Sequence, residues 1–165
     1  MYRHVKFWLP TAYGVEGHDL RAGDRAPDAP GLRIIHGPSK DTLTTRLFDI
    51  FTPTLHTVLI FAPSASDGLQ SLVDSVTETV SGLAPDLVQI VLVLPKSSSA
   101  PSESFSGVNF LVKDVNEHAF VNYGLTTEMP MIVVVRPDDY VGAFVTDAQG
   151  VKKYFSTVFG DADAL

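Results

Sequence analysis

The chain has 165 residues, 45% of them hydrophobic, with a formal net charge of -7 and no cysteine. That length fits one domain, burying roughly 70% of the surface its unfolded chain exposes. The missing cysteines exclude disulfides, thiolate metal sites, iron–sulfur clusters and any cysteine nucleophile.

Residues 1–30 are rich in Gly, Pro and charge without a sustained period and read as an extended arm, leaving 31–165 as the domain. A short strand is expected over Leu32–His36, then a helix from a Thr42 cap to about Phe51, stopped by Pro53. Thr57–Ala62 reads as a buried strand. Ser66 or Asp67 then caps a helix whose Leu69, Leu72, Val73, Val76 and Val80 form one apolar stripe ended by Gly82. Leu87–Leu94 is a second buried strand, and residues 96–107 form a polar, serine-rich surface loop. A short strand at Asn109–Val112 and a helix at Asn116–Tyr123, closed by Gly124, follow. Met131–Val135 and Tyr140–Val145 pair as a hairpin around Pro137-Asp138-Asp139, and Val151, Tyr154, Phe155 and Val158 mark an amphipathic terminal helix ending at Gly160. Early strands separated by helices imply parallel crossovers, and the late hairpin implies an antiparallel edge. This is the order of a thioredoxin-like α/β fold, a mixed sheet flanked by helices, here without the redox cysteine pair.

The motifs argue against chemistry. The place after the central strand, where redox-active relatives of this fold carry their thiols, reads Phe61-Ala62-Pro63-Ser64-Ala65-Ser66-Asp67-Gly68, and no base stands near its serines in sequence. His4, His18, His36, His56 and His118 show no metal-ligand spacing, and no glycine-rich dinucleotide or phosphate loop occurs. An acidic chain without a basic cluster is a poor nucleic-acid ligand, since that affinity comes from Lys and Arg displacing counterions. No stretch reaches the ~20 apolar residues of a membrane span, the start Met1 to Pro10 is too short for a signal segment, and the cytoplasm is the expected compartment. Met129-Pro130, ahead of a β-branched strand, sits where this fold carries a turn-shaping cis-proline. Phe7, Trp8 and Tyr13 of the arm are candidates to contact a ligand or partner.

Tyr123-Gly124-Leu125, the string IVVVRPDDYVG at 132–142 and the lead-in GDRAPDAP at 23–30 resemble the C-terminal thioredoxin-like domain of the phenol hydroxylase group of FAD-dependent aromatic monooxygenases, and the fungal members most. LFDIF, TVLIFA, FVNYGL and YFSTVF fall in the family's order, so the likeness covers about residues 20 to 160. In that family the FAD-binding and phenol-binding parts lie in upstream domains. The resemblance therefore implies no catalytic, cofactor-binding or metal-binding residue in this chain, and FAD only in a partner or parent flavoprotein. It implies dimerisation, either as a homodimer or against a flavin monooxygenase body. Arg136, Pro137, Asp138, Tyr140 and Val141 match the hairpin motif as structural or interfacial residues. The alternative is a small-molecule binder or enzyme of aromatic or secondary metabolism, using a pocket lined by the aromatic arm.

Overall fold

The computed structural model describes residues 20–39, 41–65, 67–99, 101 and 104–160. Its elements are β1 (Leu32–His36), β2 (Thr44–Thr45), α1 (Leu47–Ile50), β3 (His56–Phe61), α2 (Leu69–Leu83), β4 (Val88–Leu94), β5 (Phe110–Lys113), α3 (His118–Asn122), β6 (Met131–Val135), β7 (Val141–Val145) and α4 (Ala148–Phe159). Seven strands form one sheet in the order β2-β1-β5-β4-β3-β6-β7. The largely apolar runs of β3 and β4 become its centre, buried at every position, because helices cover both faces. Removing each such Val, Leu, Ile or Phe from water contributes about 1.5–3 kcal/mol.

β3, β4 and β5 run parallel, and α2 makes the crossover from β3 to β4 as expected. β6 and β7 form the antiparallel hairpin, with β6 against β3. β1 departs from the parallel expectation: it lies antiparallel to β5 and is followed by an antiparallel strand instead of a crossover helix. The helix expected from Thr42 is accordingly short. Leu43 accepts the Ile34 N–H at 2.9 Å, so the chain continues as β2 along the edge of β1, and only Leu47–Ile50 is helical. The α2 start is also corrected. Gly68, at φ 79°, occupies the cap position with no side-chain cap bond, Asp67 does not cap it, and Ser66 lies outside the described residues. Gly82 does not end that helix, which runs to Leu83 and stops ahead of Pro85.

Alternation along β3 splits the helices between two faces. His56 meets Tyr154, Phe155 and Phe159 of α4, whereas Phe61, five residues on, meets Phe120 and Tyr123 beside α3. On the α1 face Gln89 donates to the Ile50 carbonyl and to Thr57 Oγ1, which satisfies a buried amide between the sheet and α1. α2 and α4 share the opposite face, with Leu69, Val73, Val76 and Val80 buried on one and Val151, Tyr154 and Phe155 on the other.

Candidate functional site

At the end of the sheet where β3 and β4 finish, the loop from Ala62 to Gly68 holds small side chains. Ser64 Oγ stands 3.1 Å from Ser97 Oγ, both exposed, and Ser64 N–H donates to the Thr127 carbonyl at 2.8 Å. Among the described residues neither hydroxyl is hydrogen-bonded to an imidazole or a carboxylate, the partner that would activate it as a nucleophile. The loop carrying Thr127 leads to Met129 and Pro130, which precede β6. No described peptide bond is cis, so the cis expectation at Met129–Pro130 is corrected to trans. Trans is the ordinary state by about 0.5–1 kcal/mol, and the loop reaches Ser64 without the isomer. Met129 is left exposed.

The opposite end is built very differently. The turn after β6 places Pro137 and Asp138 at its corners and Asp139 in the left-handed region at φ 66°. The Asp139 N–H donates to Arg136 O at 3.0 Å and the Arg136 N–H to Tyr140 O at 2.8 Å. This three-residue loop with one left-handed position twists the strands correctly, and Asp tolerates that conformation better than most residues. Arg136 forms an ion pair with Asp138, and its guanidinium lies 5.6 Å from the centre of the Tyr140 ring.

The lead-in segment docks on this turn. Gly23 and Ala26 N–H groups donate to Val141 and Asp139 carbonyls, and Val141 N–H donates to Asp24 O, each at 2.8 Å, while Arg25 bridges Tyr140. The chain then crosses the α1 face toward β1. Pro27 O accepts the Tyr123 hydroxyl at 2.8 Å, Asp28 O accepts Asn122 Nδ2 at 2.8 Å, and Ala29 O accepts the Leu47 N–H at 3.3 Å. Ala26 and Ala29 are fully buried, so this part of the arm is integral to the core. The Asp28 side chain accepts the Phe48 N–H at 3.0 Å and the Ala29 N–H at 2.8 Å and pairs with Arg46. It thereby caps α1 from outside the helix. Burial pushes the Asp28 carboxyl up, but Arg46 and the two backbone donors outweigh it and hold it below the usual carboxylate range. Burial raises the Tyr123 hydroxyl, with the Asp28 and Asp139 carboxylates adding to the rise.

His56, a lone histidine opening an apolar strand, belongs to this end too. Its ring meets Tyr154 at 6.0 Å, Phe155 at 5.4 Å and Phe159 at 5.4 Å, all edge-on. Burial pushes its pKa down to about 4, the Arg136 guanidinium helps, and the Asp138 carboxylate opposes. It is a neutral core histidine at pH 7. In the sequence it stands only among histidines without metal-ligand spacing, the expected strand begins one residue later at Thr57, and its signal as a core residue is a titratable side chain heading a largely apolar run. Of the predicted residues, Arg136, Pro137, Asp138, Tyr140 and Val141 come together here, whereas Met129 and Pro130 sit at the other end of β6. Phe7, Trp8 and Tyr13 lie outside the described residues.

The fold is thioredoxin-like. The chain is similar to the thioredoxin domain of a thiol-disulfide oxidoreductase from Bacteroides vulgatus, at 14% identity over 87% of this chain and 100% of that one, with a TM-score of 0.63. It is similar to a thiol:disulfide interchange protein from a Bacteroides species at 15% identity over 88% and 94%, TM-score 0.64. A peroxidoxin from Mycobacterium tuberculosis superposes with a TM-score of 0.60 at 15% identity over 85% and 97%. The names of the two Bacteroides proteins carry thiol-disulfide chemistry, and this sequence has no cysteine. The family model described as the phenol hydroxylase C-terminal dimerisation domain matches residues 101–163, which include β5, α3, the hairpin and α4. No curated protein matches the chain.

Proposed function

We propose that this chain is a non-catalytic dimerisation domain on a thioredoxin-like scaffold. It is related to the C-terminal domain of FAD-dependent phenol hydroxylases, fungal ones above all, either free-standing or as part of a larger hydroxylase. The observation that carries this reading is the match of the dimerisation-domain model across 101–163. Two features support it. The loop from Ala62 to Gly68 contains no cysteine or histidine, and the motif residues Arg136, Asp138 and Tyr140 tie segments together. FAD belongs to the partner or parent flavoprotein, the partner is a second copy or a flavin monooxygenase body, and the setting is the cytoplasm.

Sedimentation equilibrium up to about 100 μM, which reveals association worth about 5–6 kcal/mol, tests the reading together with capture of a phenol hydroxylase flavin domain. A monomer throughout that range that captures no flavin domain overturns it. Purified protein is expected to be colourless and to leave insulin unreduced by dithiothreitol above the blank rate.

A pocket of about 220 Å³ lined by Ile35, His36, Pro101, Ser104, Phe105, Val108 and Leu111 favours the second reading, small-molecule binding. It lies beside β1 and β5, with carbon-rich walls, and is small by the standard of cofactor sites. Saturable binding of a monocyclic aromatic compound, lost on Val108→Trp, would bring that reading forward.

A further inference from the structure

We propose that the cavity beside β1 and the start of β5 binds a neutral compound of about one ring that carries a single hydroxyl, its hydrocarbon part held against Phe105, Val108 and Leu111 and its hydroxyl bonded at the rim by His36 or Ser104. This rests on the small-molecule reading and names its ligand.

An irregular strand and an anchored loop build this cavity. Ile34 pairs with Val112 and His36 with Leu111 across the β1–β5 ladder, so β1 holds one extra residue between them, Ile35. Consecutive residues of a regular strand point to opposite sides of the sheet, but this bulge lets Ile35 and His36 line one cavity. The other wall comes from the segment ahead of β5. Asn109 grips Ile90 twice, its N–H donating to the Ile90 carbonyl at 2.9 Å and its Oδ1 accepting the Ile90 N–H at 2.8 Å. The Val108 N–H donates to Phe105 O at 3.4 Å, and Gly107, at φ 82°, sits so close to α2 that an added Cβ would meet Thr77 Cβ at 3.1 Å. Phe105 and Val108 are thereby held before any ligand arrives, and a preformed wall loses little freedom on binding.

Size and charge select the occupant. The volume of about 220 Å³ exceeds the roughly 150 Å³ of a cavity that takes up benzene and falls short of the roughly 300–1,000 Å³ of drug-sized sites, which leaves room for about one ring. Among the described residues no Lys, Arg, Asp or Glu lines it. An anion would lose its water with no cation to replace it, on a chain that already carries -7, and a cation would find no carboxylate. The occupant is therefore neutral. His36 and Ser104 are the polar side chains of the lining and both are exposed, whereas Val108 and Leu111 are buried, so the polar groups stand at the mouth and the hydrocarbon lies deeper. A neutral imidazole and a hydroxyl each donate and accept, which suits one hydroxyl at the outer end of the ligand. The place where redox-active proteins of this fold carry their thiols follows β3, and this cavity is a different site.

The experiment titrates the full chain at neutral pH with benzyl alcohol, toluene and benzoate, each to about 5 mM, and follows the backbone amide NMR shifts. Benzyl alcohol is expected to saturate with a Kd of about 1 mM or tighter, moving the amides of Ile35, His36, Phe105, Val108 and Leu111. Toluene is expected to bind about fivefold more weakly, by the loss of one hydrogen bond, and benzoate at least about tenfold more weakly. His36→Phe or Ser104→Ala should erase the advantage of benzyl alcohol over toluene, and Val108→Trp should abolish binding of both. Circular dichroism melts first establish that each variant folds, and Ile35→Trp fills the cavity where Val108→Trp does not. Equal binding of benzyl alcohol and toluene, unmoved by both polar variants, overturns the hydroxyl as the selected group and leaves the small-molecule reading standing. Benzoate binding as tightly as benzyl alcohol overturns the neutral occupant. No saturation by any of the three, or binding that survives in the filled variant, overturns this cavity as the site and the small-molecule reading with it, while the dimerisation reading stands on its own test.

Discussion

The two ends of the sheet differ in what holds them. At the hairpin end, segments far apart in sequence meet: the lead-in at 23–29, His56, the 136–140 turn and the end of α4, with buried rings and an ion pair among them. At the far end, where this fold usually carries its reactive thiols, the exposed Ser64 and Ser97 face one another across a loop of small residues. Side chains that specify structure have accumulated at one end, and those that would specify chemistry are missing from the other. The proposed dimerisation role is consistent with that asymmetry.

The sharpest way to break the contrast is steric. A Cβ added at Gly142 meets Tyr154 Oη at 2.4 Å and Cζ at 2.7 Å, and Tyr154 is only 2% exposed. Gly142→Ala is expected to lower stability by about 2–3 kcal/mol, as overpacking of a rigid core does. At the other end Gly68 has nothing within 4 Å of its added Cβ, but its φ is +79°, so Gly68→Ala is expected to cost about 1 kcal/mol from backbone strain alone. Urea melts that rank these two equally would remove the contrast.

Acid probes the same end through His56. Its folded pKa of about 4 lies below the ordinary 6.5. The unfolded chain therefore takes up the proton first, and stability falls as pH drops from about 6.5 to about 4. A fully shielded shift of that size is worth about 3 kcal/mol, and screening by nearby solvent brings the expected loss to about 2 kcal/mol. Denaturant melts across that window should show the loss in wild type, and in His56→Phe, which keeps a ring in the aromatic cluster, the slope should flatten. An unchanged slope would place the sensitivity elsewhere.

Asp28 contributes less. Asp28→Ala removes the α1 cap and the Arg46 pair together and is expected to cost about 1–2 kcal/mol at pH 7. Because its folded pKa is depressed, its contribution is present above the usual aspartate range and disappears as pH falls through the folded value, below about 4. The smallest effect belongs to the far end: Ser64→Ala and Ser97→Ala are each expected to stay within about 0.5 kcal/mol of wild type in the same melts. A loss above 1 kcal/mol in either would show that this end is structurally specified after all.

Much of the fold is written locally. β-branched runs set β3, β4 and β6, apolar period sets α2 and α4 to within a few residues, and Pro137-Asp138-Asp139 set the hairpin turn, because each depends on a side-chain pattern within one segment. The missing thiols are equally a property of sequence, since a loop with no cysteine has none in any conformation. Partners far apart in the chain decided the rest. Thr44 and Thr45 became a strand because β1 offered an edge, α1 found its cap in Asp28, some twenty residues upstream, and His56 acquired its neutral state from three rings of α4. For the last two, no short window of sequence contains both members of the pair. Only the folded sheet brings the GDRAPDAP lead-in, Tyr123 and the 136–140 turn within hydrogen-bonding reach, because a hydrogen bond of 2.8 Å is selected by packing in space and not by distance along the chain.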